Sequence, residues 1–162
     1  MKHLRLLLVL SSLTALGLAT VASASGTRAV VNTKSTSLGT ILVNSSGQTL
    51  YLDVNDKSGH FACTGQCAAA WPVLKTSGKP KAAGKVKASM LGTVKHGSAT
   101  QVTYNGHPLY TFVQDSTSTP ISGEGVNGFF VVSPSGSKIK KSTKTTTTTT
   151  TTSSSTSGGY HY

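Results

Sequence analysis

The chain has 162 residues, with fifteen Lys and Arg against four Asp and Glu, and a formal net charge of +11. Aromatic residues make up 6% and glycine supplies 17 positions. So few acids leave little material for carboxylate catalysis. The basic residues are scattered single lysines without the aromatic partners of a nucleic-acid module, so no nucleic-acid partner is expected.

Residues 1–24 read as a secretory signal peptide. Lys2, His3 and Arg5 give a basic start, Leu4 to Leu10 and Leu13 to Leu18 an apolar run, and Ala22-Ser23-Ala24 the small-x-small pattern of a cleavage site. An uncleaved anchor is the alternative, and the Ala-x-Ala ending argues for cutting. Cleavage after Ala24 leaves thirteen basic residues and four acids, a net charge of +9 and no transmembrane anchor. Such a balance favours anionic surfaces outside the cell, although solubility alone would also account for it.

Residues 25–37 are small and polar, a flexible lead-in. The compact part is expected over 38–135, a small mainly β domain of two hairpin-containing repeats with one short helical segment. Copies are placed at about 39–74 and 98–134, with 75–97 as linker. In the first copy, alternating runs around Ile41 and Tyr51 flank a turn at Ser45-Ser46-Gly47. In the second, runs from Gln101 and to Asp115 flank Asn105-Gly106, a favoured pair where both turn positions need positive φ. Three alanines after Cys67 favour a helical turn or two, closed by Pro72. Phe129 to Ser133 reads as a short buried strand. Residues 136–162 carry lysines, then Thr145 to Thr152 unbroken. With nothing to bury, they are expected to be a disordered tail, open to O-glycosylation or to use as a spacer.

Cys63 and Cys67 are the two cysteines of an exported chain, and a disulfide is the first expectation. A redox-active dithiol, or a metal site of His60, Cys63 and Cys67, is the alternative; soft ligands of that kind suit Zn²⁺ or Cu(I). Gly123-x-Gly125-x-x-Gly128 fits a dinucleotide fingerprint in letters only, because it opens a strand and not a helix. Asp56 and Asp115 could pair as a carboxylate dyad across a pseudo-two-fold, but each is better placed to accept backbone bonds in the turn after its strand. Strand parity keeps each Asp off the face of its own tyrosine.

The paired Tyr51-x4-Asp56 and Tyr110-x4-Asp115, with Cys63-Thr-Gly-Gln-Cys67-Ala-Ala-Ala-Trp71-Pro72 between them, resemble the bacterial secreted-repeat lipoprotein family, marked by a tandem Tyr-x4-Asp motif. The likeness covers about residues 39–134. It implies an extracytoplasmic, envelope-associated protein and no catalytic residues. Two departures stand out: no cysteine ends the apolar run to carry a lipid, and Phe129-Phe130 stand where a Trp is expected.

The sequence therefore points to an exported, non-catalytic binding or structural module without a cofactor. Its expected partners are anionic envelope polymers or another envelope protein. The runner-up is an extracytoplasmic redox or metal-handling protein using Cys63, Cys67 and His60.

Overall fold

Short runs of alternating and β-branched residues, punctuated by glycine turns, dictate strands here. The structure, a computed structural model, describes residues 26–57 and 61–140. The signal segment, His60 and the Thr-rich part of the tail lie outside the described residues.

The first hairpin pairs β1 (Val30–Thr36) with β2 (Gly39–Asn44), in register from Val31↔Asn44 to Thr36↔Gly39. A second pairs β5 (Leu91–His96) with β6 (Ala99–Tyr104), from Leu91↔Tyr104 to His96↔Ala99. The strand β3 (Tyr51–Asp53) runs antiparallel to β8 (Phe129–Val131). Two short strands complete the sheets: β4 (Lys81–Ala82) lies parallel to β1, and β7 (His107–Pro108) folds back on β6. The lone α-helix among the described residues is α1 (Gln66–Ala70), held by the alanine run and ended by Trp71-Pro72.

The two copies obey one bonding plan. Leu50 N–H donates to Leu42 C=O, as Leu109 N–H does to Val102 C=O. Val132 N–H donates to Leu50 C=O, as Leu74 N–H does to Leu109 C=O; Val54 N–H reaches Gly128 C=O, as Val113 N–H reaches Ala70 C=O. Trp71 and Phe129 are therefore equivalent positions. The same rule sends each strand's end to the other copy's closing segment, so the halves are interlocked by a pseudo-two-fold.

Side-chain parity then sorts the core onto both faces of this framework. Leu42, Leu50, Leu52, Val102, Tyr104 and Leu109 form one cluster with Val31, Val86 and Val132. Ile41, Val43, Tyr51, Trp71, Tyr110, Phe112 and Phe129 form the other. Because both faces are covered, Ile41, Leu42 and Val43 are buried consecutively, as are Gln101 to Tyr104.

Three boundaries differ from the sequence reading. Residues 30–36, expected to be flexible lead-in, form β1, because Val31 has a buried place opposite Asn44. The 75–97 linker holds β4, a 3₁₀ turn at Ala88–Met90 and all of β5. The start of the tail is ordered onto the domain: Ile139 N–H donates to Val131 C=O and Ile139 packs on the aromatic cluster. Each attachment rests on a few apolar side chains without a sustained strand or helix period, Ala29 and Val31 in the first case, Ala82, Val86, Met90 and Leu91 in the second and Ile139 in the third, too weak a pattern to read as an element.

Val31 is the sharpest test of the first boundary. Val31→Ala should lower stability by about 2 kcal/mol, the loss of two buried methyl groups and the cavity they leave. Urea unfolding midpoints will measure it; a flexible lead-in would give no change.

Candidate functional site

Tyr51 and Tyr110 meet back to back at the pseudo-two-fold. Each backbone N–H donates to the other's C=O at 2.9 Å. Their side chains then cross between copies. Tyr51 Oη donates to Asp115 Oδ2 at 2.7 Å, and Tyr110 Oη donates to Asp56 Oδ2 at 2.7 Å. Parity had kept Tyr and Asp of one motif apart, and the fold resolves this by exchanging partners.

Each carboxylate spends its other oxygen on its own turn. Asp56 Oδ1 accepts the Ala62 N–H at 2.9 Å. Asp115 Oδ1 accepts the Ser122 N–H at 2.9 Å and the Ser122 hydroxyl at 2.8 Å. The turn-capping expectation thus holds for both. Among the described residues no hydrogen bond joins the two carboxylates, and each takes a tyrosine instead of forming a dyad.

The aromatic floor of this site repeats the symmetry. Trp71 and Phe129 stack at 3.8 Å with their planes 4° apart. Tyr51 presents its edge to Trp71 at 5.3 Å, and Tyr110 its edge to Phe129 at 5.3 Å. Phe129 is therefore the counterpart of Trp71. Phe112 stacks on the other side of Trp71 at 4.2 Å. Gly123 closes the site over this floor: a Cβ there would lie 2.6 Å from Trp71 Cη2, and its N–H reaches Tyr51 Oη at 3.3 Å. The glycines of the 123–128 stretch thus serve loop packing; the stretch ends in a 3₁₀ turn at Val126–Gly128 and leads into β8.

Burial pushes both tyrosine hydroxyls well above the ordinary phenol range, and the acceptor carboxylates, Asp115 for Tyr51 and Asp56 for Tyr110, push the same way. The phenols stay protonated donors. Asp53 is also raised, by burial first and by repulsion from Asp56, against the opposing N–H groups of Asn55. Its Oδ1 accepts the Asn55 backbone and side-chain N–H groups.

Cys63 and Cys67 form a disulfide, with Cα atoms 5.2 Å apart. It closes the loop between Ala62, which serves Asp56, and Trp71, whose N–H donates to Cys67 C=O. Such a small loop contributes about 2 kcal/mol in the chain-entropy account. With both sulfurs bonded to each other, the His60, Cys63, Cys67 set offers no thiolate to a metal. Among the described residues no cluster of metal-ligating side chains stands in its place.

Each crossed pair borders a shallow cleft between the copies. One, of about 350 Å³, is lined by Lys34, the Ser46–Gln48 turn and Asp115. The other, of about 380 Å³, is lined by Val94, the Asn105–Pro108 turn, Asp56, Lys57 and Phe61. They are pseudo-symmetric mates with different side chains, Lys34 facing one where Val94 faces the other.

Two stretches, residues 32–75 and 92–132, match the profile of a secreted repeat of unknown function. The chain belongs to this family. No curated protein and no solved structure matches it. As a secreted repeat it acts outside the cytoplasm, and the matched segments bound the interlocked copies: the first begins in β1, the second in β5.

Sequence reasoning found Tyr51, Asp56, Tyr110, Asp115 and Trp71 and kept each Asp off its own tyrosine, but assigned neither tyrosine the partner it has in the other copy. It missed Tyr104, whose hydroxyl donates to Pro134 C=O and accepts the Lys87 N–H. It also missed buried Gln101, which joins His96 Nδ1 to the Leu109 carbonyl. A polar residue in a strand of buried neighbours was the available signal for Gln101.

Crossed pairing predicts which residues couple. Tyr51→Phe and Asp115→Asn should each cost about 1–3 kcal/mol, and their double-mutant cycle should show about 1 kcal/mol or more of coupling. Tyr51→Phe with Asp56→Asn should be additive to within about 0.5 kcal/mol. Coupling in the second cycle and not the first would reverse the assignment.

The raised phenols fix an alkaline limb. Below about pH 10, the unfolded tyrosine value, both states keep the proton and stability is flat on this account. Above it the unfolded chain releases protons that the folded chain holds, so stability falls by up to about 1.4 kcal/mol per pH unit for each tyrosine. Tyr51→Phe should remove one proton's worth of that slope, measured by denaturant unfolding at successive pH values.

Proposed function

We propose that this secreted repeat is a non-catalytic binding or structural module retained at the cell envelope. One observation carries the reading: all four carboxylates accept internal hydrogen bonds. Asp56 and Asp115 hold the crossed tyrosines, Asp53 holds Asn55, and Glu124 accepts the Val131 N–H at 2.7 Å. Groups that would serve as general acids or bases are built into the architecture. The cations point the other way. Arg28 and the lysines of the described residues are exposed, which suits an anionic surface outside the cell.

The disulfide fits a structural part in this reading, since it braces the loop that serves Asp56 and Trp71. The test is retention. The purified chain should sediment with envelopes isolated from the producing cells. A Cys63→Ala, Cys67→Ala variant that still folds should sediment equally well. A parent chain left in the supernatant would overturn envelope retention, and loss of retention in the cysteine variant alone would favour the redox or metal reading.

A further inference from the structure

Copy one ends at Lys75 and copy two begins at Leu91, and the residues between them do more than connect. Connections between elements are commonly about 2–6 residues, whereas this segment is a strap laid along one core face. Ala82, Val86 and Met90 pack on the aliphatic cluster, and Pro80 is buried. Lys79, Lys81, Lys85 and Lys87 alternate with them and are all exposed. The strap is fixed at several points: Lys81 N–H donates to Ala29 C=O, Ala83 N–H to Val31 C=O, and Lys87 N–H to Tyr104 Oη. Its start is joined by Ser77 N–H to Thr27 C=O, beside exposed Arg28. The lysines therefore face solvent from a segment whose backbone is anchored to the domain.

No acid stands among them in the sequence. From Lys57 to Gln114 the sequence contains no Asp or Glu. Asp56 and Asp115 are bonded to the tyrosines of the aromatic cluster, on the other side of the framework from the aliphatic cluster that the strap covers. The exposed large apolar residues, Val54 and Val113, follow the motif strands and are not on the strap. A lipid surface would want an apolar foothold beside the cations, and single-stranded nucleic acid would want stacking aromatics between them. The strap has neither.

We propose that this face, Arg28 with Lys79, Lys81, Lys85 and Lys87, is a docking surface for a linear anionic polymer of the cell wall. The ligand's chemistry is a flexible backbone with a phosphate or carboxylate on each repeating unit. The clustered cations of the strap meet the anions of the polymer, and released counterions drive binding, as in other polyelectrolyte contacts. The inference rests on the envelope reading and names its partner.

Long-chain inorganic polyphosphate is the probe, titrated into the intact secreted chain at low and high salt. Replacing Lys79, Lys81, Lys85 and Lys87 by Gln should leave the thermal midpoint near that of the parent and weaken binding by about tenfold or more, roughly 1.4 kcal/mol. Replacing Lys57, Lys95, Lys138 and Lys140 by Gln removes the same charge and should change affinity by less than about threefold. Equal losses in the two variants would reduce the effect to net charge and overturn the proposal. Tighter binding to vesicles of anionic phospholipid, or to a single-stranded oligonucleotide of equal charge, would overturn it in favour of those partners. If the chain sediments with envelopes but ignores polyphosphate, the docking surface fails and the envelope reading stands; if it does not sediment, the envelope reading fails first.

Discussion

The crossed tyrosine–aspartate bond is the constraint on which the rest of this fold depends. Tyr51 and Tyr110 are fully buried in side-chain bulk, and a buried phenol needs an acceptor. Neither copy can supply one from its own motif, because the five-residue offset places Asp out of phase with its tyrosine. The acceptor comes from the neighbouring copy, already oriented by the backbone of its own turn. A hydrogen bond to a charged group contributes about 1.5–3 kcal/mol, so the two bonds together are a large fraction of a small domain's usual stability. They also fix Asp56, which holds Ala62 just before the disulfide, and Asp115, which holds Ser122 in the loop that places Gly123 over Trp71.

This interdependence shapes how the chain must fold. Tyr51 and Asp115 are 64 residues apart in sequence, Tyr110 and Asp56 54 apart. Contacts of such separation are formed late, because loop closure must precede them. Local hairpins, β1 with β2 and β5 with β6, can form early and wait. The strap between the copies narrows the search, since its apolar side is docked on the shared aliphatic cluster and holds the second copy near the first.

Local rules made much of this legible. Asn105-Gly106 turns as its residue types demand, with φ of 50° and 80°, and the alanine run before Trp71-Pro72 is the described α-helix. Parity put Tyr51, Tyr110 and Phe112 on one face and Leu50, Leu52 and Leu109 on the other, as the two clusters show. The family resemblance rested on the motif pair and proved correct. What stayed hidden was non-local. Nothing in either Tyr-x4-Asp segment says that its hydrogen bond goes to the other copy. Val86 and Ile139 were lost between lysines, because one apolar residue in a basic stretch has no period to betray it, and Ala29-Val30-Val31 was too short a run to stand out before the polar residues that follow. Tyr104 sits in the strand before the turn, and only the packed fold reveals that its hydroxyl ties the strap to the Pro134 carbonyl.

The stack of Trp71 on Phe129 has a further meaning, because these are one position met twice. At a pseudo-two-fold, a residue facing its own counterpart is bound by the sum of the two volumes and not by either alone. The indole already fills its side, with Phe112 against one face and Gly123 at its rim. A second indole in place of Phe129 would need room given up by Phe112 or by the Gly123 loop, whereas exchanging the two, Phe at 71 and Trp at 129, would keep the total. The two sites are thus free to differ from each other but not to vary independently, and relatives built on the same plan should carry size changes there in compensating pairs.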